Sequence, residues 1–354
     1  MSRFFSSKYN ALTPYVPGEQ PHDMAYIKLN TNESPYPVLP AVKEALVGEA
    51  DKLHLYPDPD GRVLTDKIAQ IFGVSPDMIV LNNGSDETLN FAFMAFCDEK
   101  HPAVFADITY GFYPVFAALN GVPYVEIPLK EDLTIDPDEY IGVGKTVFIA
   151  NPNAPTGIAL PLSDIERIVA GNPGNVVVID EAYVDFGAES AVSLTKKYDN
   201  LLVVRTFSKS RSMAGARLGF GVGDPALIKD LHTMRYSTNP YNVNRLTLAA
   251  GCASLDHDAY NMENCRKIAE TREKAASALR ELGFFVTNSK ANFLFAKHEK
   301  IGGEELYLKL KERGILVRHF SKERIKDYNR ITVGTPEQMA ILTANVKTIL
   351  EDAK

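Results

Sequence analysis

Short runs of apolar residues punctuate the first two thirds of the chain: Met78 to Leu81, Ala103 to Asp107, Thr146 to Ala150, Val176 to Asp180 and Leu201 to Thr206. Almost every position in them is apolar or β-branched, without the alternation of a half-buried strand, so the strands they predict are buried on both faces. Between them, Asp86 to Phe96 and Leu162 to Ala170 repeat apolar positions at helical spacing. Strands alternating with helices predict an α/β fold with a mainly parallel central sheet flanked by crossover helices. Ligands of such sheets gather outside the carboxyl ends of the strands.

The pattern changes from about Tyr260. A long charged helical run, Met262 to Leu282, is followed by Phe284 to Thr287, Asn292 to Lys297, Ile315 to Phe320 and Arg330 to Val333, which together predict a smaller α+β domain. The Pro- and Gly-containing stretch Pro14 to Pro21 is expected to pack as an arm. The expected organisation is an N-terminal arm with part of the small domain over 1–45, a large domain over 46–254 and a C-terminal small domain over 255–354.

Composition narrows the function classes. Of 354 residues, 45% are hydrophobic and 23% charged, which is globular usage. A net charge of −7 supplies no basic field for a nucleic-acid backbone, so no nucleic-acid partner is expected. Cys97, Cys252 and Cys265 are odd in number and lack CxxC spacing, which fits free thiols in a reducing compartment. The histidines show no ligand spacing, and no metal is expected. The opening residues lack a continuous apolar core and no apolar run reaches membrane-spanning length, so the expected location is cytoplasmic, with no membrane partner.

Polar clusters follow the predicted strands: Gly84 to Glu87, Asn151 to Gly157, Asp180 to Tyr183, and Ser208-Lys209. A carboxylate placed directly after Val176 to Ile179 is desolvated unless it meets a cation or hydrogen-bond donors, so Asp180 needs a partner. Lys209 sits at the same rim, and burial beside Arg211 and Arg217 would lower its pKa toward nucleophilic use. Gly84-Ser85 opens a helix whose free N–H groups can hold an anion. Gly219 to Gly223 has glycine spacing but lies in a strand-like run and lacks the full GxGxxG pattern, so it reads as strand. A lysine amine, a carboxylate for a pyridinium nitrogen and a phosphate-binding helix end meet the needs of one cofactor, pyridoxal 5′-phosphate.

Asn151 to Gly157, Asp180 to Tyr183 and the run TFSKSRSMAGARLGF resemble the fold-type I pyridoxal-phosphate aminotransferases. LTPY at Leu12 to Tyr15, LNTNESP at Leu29 to Pro35, LYPDPDG at Leu55 to Gly61, TYGFY at Thr109 to Tyr113 and RITVGT at Arg330 to Thr335 resemble, in order along the chain, the histidinol-phosphate aminotransferase family. The resemblance implies that Lys209 bonds the aldehyde carbon of the cofactor and shuttles the substrate proton. It implies Asp180 against the pyridine nitrogen, Tyr183 on the phenolate oxygen, and Tyr110 stacked on the ring. Ser208, Arg217 and the backbone at Ser85 and Asp86 would hold the phosphate. Tyr56 would reach the phosphate of a neighbouring subunit, making a homodimer with shared sites. The sequence departs from the family at Ala154, where an asparagine commonly contacts the phenolate oxygen, and Asn153 is the expected substitute.

By the same resemblance, Arg330 grips the substrate's anionic end, with Arg318 as a second cation and Tyr15 and Asn32 finishing the pocket. The partners implied are a small-molecule amino donor and a 2-oxo acid, exchanged in ping-pong order as histidinol phosphate with 2-oxoglutarate. Aromatic amino-acid transamination, phosphothreonine decarboxylation and a regulatory module that keeps the cofactor are the alternatives.

Overall fold

The computed structural model describes residues 2–10 and 12–352. In chain order, a short strand β1 (Ile27–Lys28) precedes helices α1 (Pro40–Ala50) and α2 (Arg62–Phe72). Then come β2 (Ile79–Asn82), α3 (Ser85–Phe96), β3 (Ala103–Ala106), α4 (Tyr113–Asn120), β4 (Tyr124–Ile127), β5 (Thr146–Ala150), α5 (Leu162–Ala170), β6 (Val177–Asp180), β7 (Leu201–Thr206) and β8 (Gly219–Gly223). Helices α6 (Pro225–Thr238), α7 (Arg245–Asp256) and α8 (Asp258–Glu281) lead to β9 (Phe285–Val286), β10 (Phe293–Lys297), α9 (Gly303–Glu312), β11 (Ile315–Leu316), β12 (Arg318–His319), β13 (Tyr328–Thr332) and α10 (Pro336–Asp352).

The large sheet has the order β2-β8-β7-β6-β5-β3-β4, parallel except for β8, which runs antiparallel to both its neighbours. Burial on both faces is visible residue by residue. Leu201 and Val203 of β7 enter one core, with Val177 and Ile179 of β6, Val147 and Ile149 of β5, and Val104 of β3. Leu202, Val204, Val178, Phe148 and Phe105 enter the other, against Leu89, Phe93 and Leu231. This period of two, with apolar residues on both sides, accounts for the continuous apolar runs in the sequence.

The pattern of β8 has a packing reason. A Cβ on Gly219 would lie 2.4 Å from the Ser85 nitrogen, and one on Gly221 would lie 3.1 Å from Thr88 Cγ2. The glycines at alternate positions therefore clear one face of the strand for the amino end of α3. The edge strand β4 was not anticipated. Tyr124, Val125 and Glu126 are exposed, so it lacks the buried run that marks the other strands.

A third core holds Phe293, Leu294, Leu306, Ile331, Leu342 and Ile349, where the antiparallel sheet β12-β13-β10-β9 meets α8, α9 and α10. The amino-terminal segment joins it: β1 pairs in parallel with β11, and Leu29 is buried in this core. That crossing carries Thr31 and Asn32 back to the rim of the large sheet.

Candidate active site

Ala106, Ala150, Asp180 and Thr206, at the carboxyl ends of β3, β5, β6 and β7, line a cavity of about 700 Å³. Ser85, Tyr110, Tyr183, Ser208, Lys209 and Arg217 also face it from the large sheet. Tyr15 from the arm and Arg318 and Arg330 from the small sheet complete its wall. A single cavity thus receives side chains spread over more than three hundred positions of the chain.

Beyond β7, the fully buried ring of Phe207 anchors the turn that turns Lys209 into the cavity. The Lys209 amine donates to the Thr31 carbonyl at 3.3 Å. Burial, helped by the positive charges of Arg330 and Arg217 against the opposing Asp86 and Glu33, brings its pKa down to about 8. A substantial neutral fraction near pH 8 leaves a lone pair for bonding to carbon.

Asp180 ends β6 and is almost wholly buried. Burial pushes its carboxyl up to about 7, partly offset by the Ala182 N–H and the Tyr113 hydroxyl, while the nearby carboxylate of Asp86 adds to the rise. A carboxylate so placed calls for a cation or N–H donor. Tyr183 is buried edge-on against Phe293, its ring 5.1 Å away at 89°, and its hydroxyl accepts from Asn32 Nδ2 at 3.0 Å. Burial raises its pKa.

The anion corner is built by α3 and the loop before β8. Gly84 adopts φ 77° and ψ 165° at the N-cap, and no side chain caps the first turn, which leaves its N–H groups for another acceptor. Arg217 donates to Asp86 Oδ2 at 3.1 Å and to Ser208 Oγ at 3.4 Å. Tyr110 donates to the other Asp86 oxygen at 2.7 Å. The Asp86 carboxylate is thereby held by two donors.

At the opposite end, Arg330 donates from Nη2 to the Asn30 carbonyl at 2.9 Å, and its buried Nε has no partner among the described residues. The Phe293 and Phe320 rings lie 5.4 and 5.8 Å from its guanidinium carbon. Burial lowers its pKa, the sign of a cation short of a counter-charge. Arg318 donates to the carbonyls of Pro17 and Val16 at 3.2 and 3.1 Å, tying the arm across the mouth. Tyr15 then stacks on Phe112 at 4.1 Å.

The sequence profile of the family described as aminotransferase class I and II matches residues 25–346. A histidinol-phosphate aminotransferase of Brachyspira hyodysenteriae is 50% identical over 354 residues, covering 99% of this chain and 100% of the relative. One of Marinomonas sp. is 49% identical, covering 99% and 100%. This chain belongs to the histidinol-phosphate aminotransferase family. In fold, it matches the crystal structure of a histidinol-phosphate aminotransferase from Sinorhizobium meliloti in complex with pyridoxal-5′-phosphate, with a TM-score of 0.88 at 23% identity, covering 100% and 99% of the two chains. It also matches an L-threonine-O-3-phosphate decarboxylase from Porphyromonas gingivalis, with a TM-score of 0.81 at 25% identity, covering 92% and 99%.

Histidinol-phosphate aminotransferases depend on pyridoxal phosphate, and the residues here fit that group. A Cβ at Gly84 would sit 2.6 Å from Arg217 Nη2, so the glycine keeps open the corner where the guanidinium meets the uncapped helix end. A phosphate matches that donor set, and a pyridinium N–H matches a buried carboxylate.

The structure brings together Ser85, Asp86, Tyr110, Asp180, Tyr183, Ser208, Lys209 and Arg217, with Tyr15, Asn32, Arg318 and Arg330 on the same cavity. Two expectations change. Asn153 does not stand in for the missing asparagine: its Nδ2 donates to the Ile108 carbonyl at 2.9 Å and to Thr156 Oγ1 at 3.1 Å, and its Oδ1 accepts from Thr109. Its amide braces the loop, and the residue that reaches the cavity is Ala154. Asn32 does line the cavity, but its amide is engaged with Tyr183 and Thr332, so it orients Tyr183. Tyr56 does not line the cavity of its own chain. It is 76% exposed, stacked on Tyr241 at 4.4 Å, with its carbonyl accepting from Arg245.

Sequence reasoning missed Thr31, whose backbone carbonyl leaves no side-chain signal, and Tyr113, whose hydroxyl donates to Asp180 Oδ2 at 3.2 Å. The latter stood within TYGFY and could have been found there.

Proposed function

We propose that this protein exchanges an amino group between histidinol phosphate and 2-oxoglutarate, in ping-pong order, as a step of histidine biosynthesis. Pyridoxal phosphate, when bound, supplies an aldehyde carbon and an electron-withdrawing ring. Lys209 would hold that carbon through its Nζ and, with Nζ free, would move the proton at the substrate carbon. Asp180 holds a proton on the ring nitrogen, which places positive charge where electron density collects. Tyr183, fixed by Asn32, donates to the phenolate oxygen. With Ala154 in the family's asparagine position, Tyr183 is the only side chain we assign to that oxygen. Tyr110 covers the ring, and Arg217, Ser208 and the N–H groups of Ser85 and Asp86 hold the phosphate.

The observation that carries the substrate is the unpartnered, buried Nε of Arg330 on the cavity wall, with Arg318 as a second cation at the mouth. In histidinol phosphate the anion is a phosphate ester on the carbon next to the one bearing the amine. One arginine can therefore receive that dianion in one half-reaction and the glutamate α-carboxylate in the other.

A screen of single half-reactions tests the proposal. Histidinol phosphate, phenylalanine, tyrosine and phosphothreonine are each mixed with the holoenzyme and the cofactor absorbance is followed. Histidinol phosphate is expected to give the largest specificity constant. A large preference for phenylalanine would replace the proposal with an aromatic aminotransferase, and carbon dioxide from phosphothreonine would replace it with a decarboxylase.

The exposed Tyr56 ring, beside exposed Val47, Leu53, Leu55 and Val63 on the same stretch of chain, supports a homodimer in which Tyr56 enters the partner's site. The free cysteines Cys97, Cys252 and Cys265 fit a cytoplasmic location. We retain the division into an arm with part of the small domain to residue 45, a large domain to 254 and a small domain beyond.

A further inference from the structure

Tyr113 opens α4 and is completely buried, its ring tilted against Phe93, Phe105 and Phe148 and edge-on to Tyr110 at 5.7 Å. Phenylalanine would suit such surroundings, and a hydroxyl in them carries a desolvation cost unless it finds a partner. Among the described residues its one hydrogen bond goes to Asp180 Oδ2, at 3.2 Å. The other carboxylate oxygen, Oδ1, accepts from the Ala182 N–H, also at 3.2 Å. Each oxygen of Asp180 thus has one fixed protein donor, and its remaining acceptor capacity is left for a third.

We infer that Tyr113 is a positioning residue whose hydroxyl keeps the Asp180 carboxylate oriented and ionised toward the ring nitrogen of the cofactor, so that recognition of that nitrogen depends on Tyr113. The inference rests on the reading of Asp180 given above. Its physical basis is that burial favours the neutral acid, which cannot form an ion pair with a pyridinium, whereas donors to the carboxylate favour the charged form. The backbone donor at Ala182 is present whatever the side chains; the hydroxyl is the donor that a substitution can remove.

The arrangement of TYGFY follows. Tyr110 lies three residues before Tyr113, the first residue of α4, and it faces the cavity while Tyr113 lies behind it on the carboxylate. One short segment therefore contributes both the aromatic cover for the ring and the brace for the group beneath its nitrogen.

The test measures binding, with no turnover. Cofactor-free wild type, Tyr113→Phe, Asp180→Asn and the double variant are titrated with pyridoxal phosphate and with its 1-deaza analogue, in which carbon replaces the ring nitrogen. Tyr113→Phe removes a single oxygen from a phenylalanine-lined site, and thermal unfolding of the cofactor-free proteins checks that it folds. Wild type is expected to prefer pyridoxal phosphate, and Tyr113→Phe to lose about tenfold of that preference, at the lower end for a hydrogen bond to a charged group. Affinity for the deaza analogue should be unchanged, and Tyr113→Phe should have no further effect in the Asp180→Asn background. Equal losses for both ligands would make Tyr113 merely structural, and no loss for either would remove its role; both overturn the inference. If Asp180→Asn keeps the full preference for the ring nitrogen, the Asp180 reading itself fails and the inference with it. A preference lost in Asp180→Asn but kept in Tyr113→Phe overturns the inference alone.

Discussion

Replacing Arg330 by glutamine should damage both half-reactions, and the structure gives the size of the effect. Nη2 is already engaged by the Asn30 carbonyl, while the buried Nε has no partner among the described residues. An anion in the cavity can accept from the Nε–H and from an η N–H that the Asn30 carbonyl does not occupy, so two of its oxygens can be engaged. A hydrogen bond to a charged group contributes about 1.5 to 3 kcal/mol, so two at the lower end amount to about 3 kcal/mol, on the order of a hundredfold in kcat/KM. Arg330→Lys keeps the charge without the fork and should lose about tenfold. Stopped-flow half-reactions with glutamate, histidinol phosphate and phenylalanine measure this, since each donor presents an anion to Arg330. Arg318→Gln provides the contrast: it should weaken histidinol phosphate and the distal carboxylate of glutamate but weaken phenylalanine much less. If Arg330→Gln stays within about threefold of wild type for both glutamate and histidinol phosphate, the assignment of the anion to Arg330 is refuted.

Lys209→Ala should retain cofactor through the phosphate corner yet lose nearly all transamination, and borohydride reduction of the wild type should fix the cofactor to the peptide containing Lys209; a label on another lysine peptide rules that residue out. Gly219→Ala would place a Cβ 2.4 Å from the Ser85 nitrogen and 2.5 Å from the Gly84 carbonyl carbon, both backbone, so it should cost about 1 to 3 kcal/mol in stability and weaken cofactor binding; an unchanged melting temperature and cofactor affinity would disprove the close packing. In the cofactor-free protein, Asp180 has a folded pKa near 7, above its ordinary value near 4, so its contribution to stability is complete below pH 4 and is lost as pH rises through about 7. Asp180→Asn should therefore melt progressively higher relative to wild type from pH 5 to pH 8, and a difference independent of pH would contradict the burial argument. Mixing inactive Lys209→Ala with Tyr56→Phe protein should form heterodimers in which one site carries both defects and the other neither, giving recovered activity; its absence after subunit exchange would return Tyr56 to its own subunit.

What the sequence determined by itself was the set of strands buried on both sides and the residues at their ends. Residue runs such as Val177 to Asp180 and Leu201 to Thr206 have continuous apolar patterns because each strand contributes to two cores, and that signal is local. Polar residues at the end of such a run or just beyond it are conspicuous for the same reason, which is why Asp180 and Lys209 stood out as candidates. The residues of the anion corner and the mouth stand in ordered motifs that resemble a family, and the fold brings them to one cavity.

Tertiary structure alone decided matters of direction and contact. The alternate glycines of β8 gain their meaning only when α3 lies against them, and the exposed edge strand β4 has no buried run to announce it. Asn153 and Ala154 are adjacent in sequence, yet hydrogen bonds to Ile108 and Thr156 turn the asparagine away and leave the alanine on the cavity. Asn32 meets Tyr183 across 151 positions, and Lys209 meets the Thr31 carbonyl across 178. The strands and their chemical endings are properties of local sequence, whereas partner choice depends on which backbone groups the packed elements bring within hydrogen-bonding distance, and no short stretch of sequence encodes that distance.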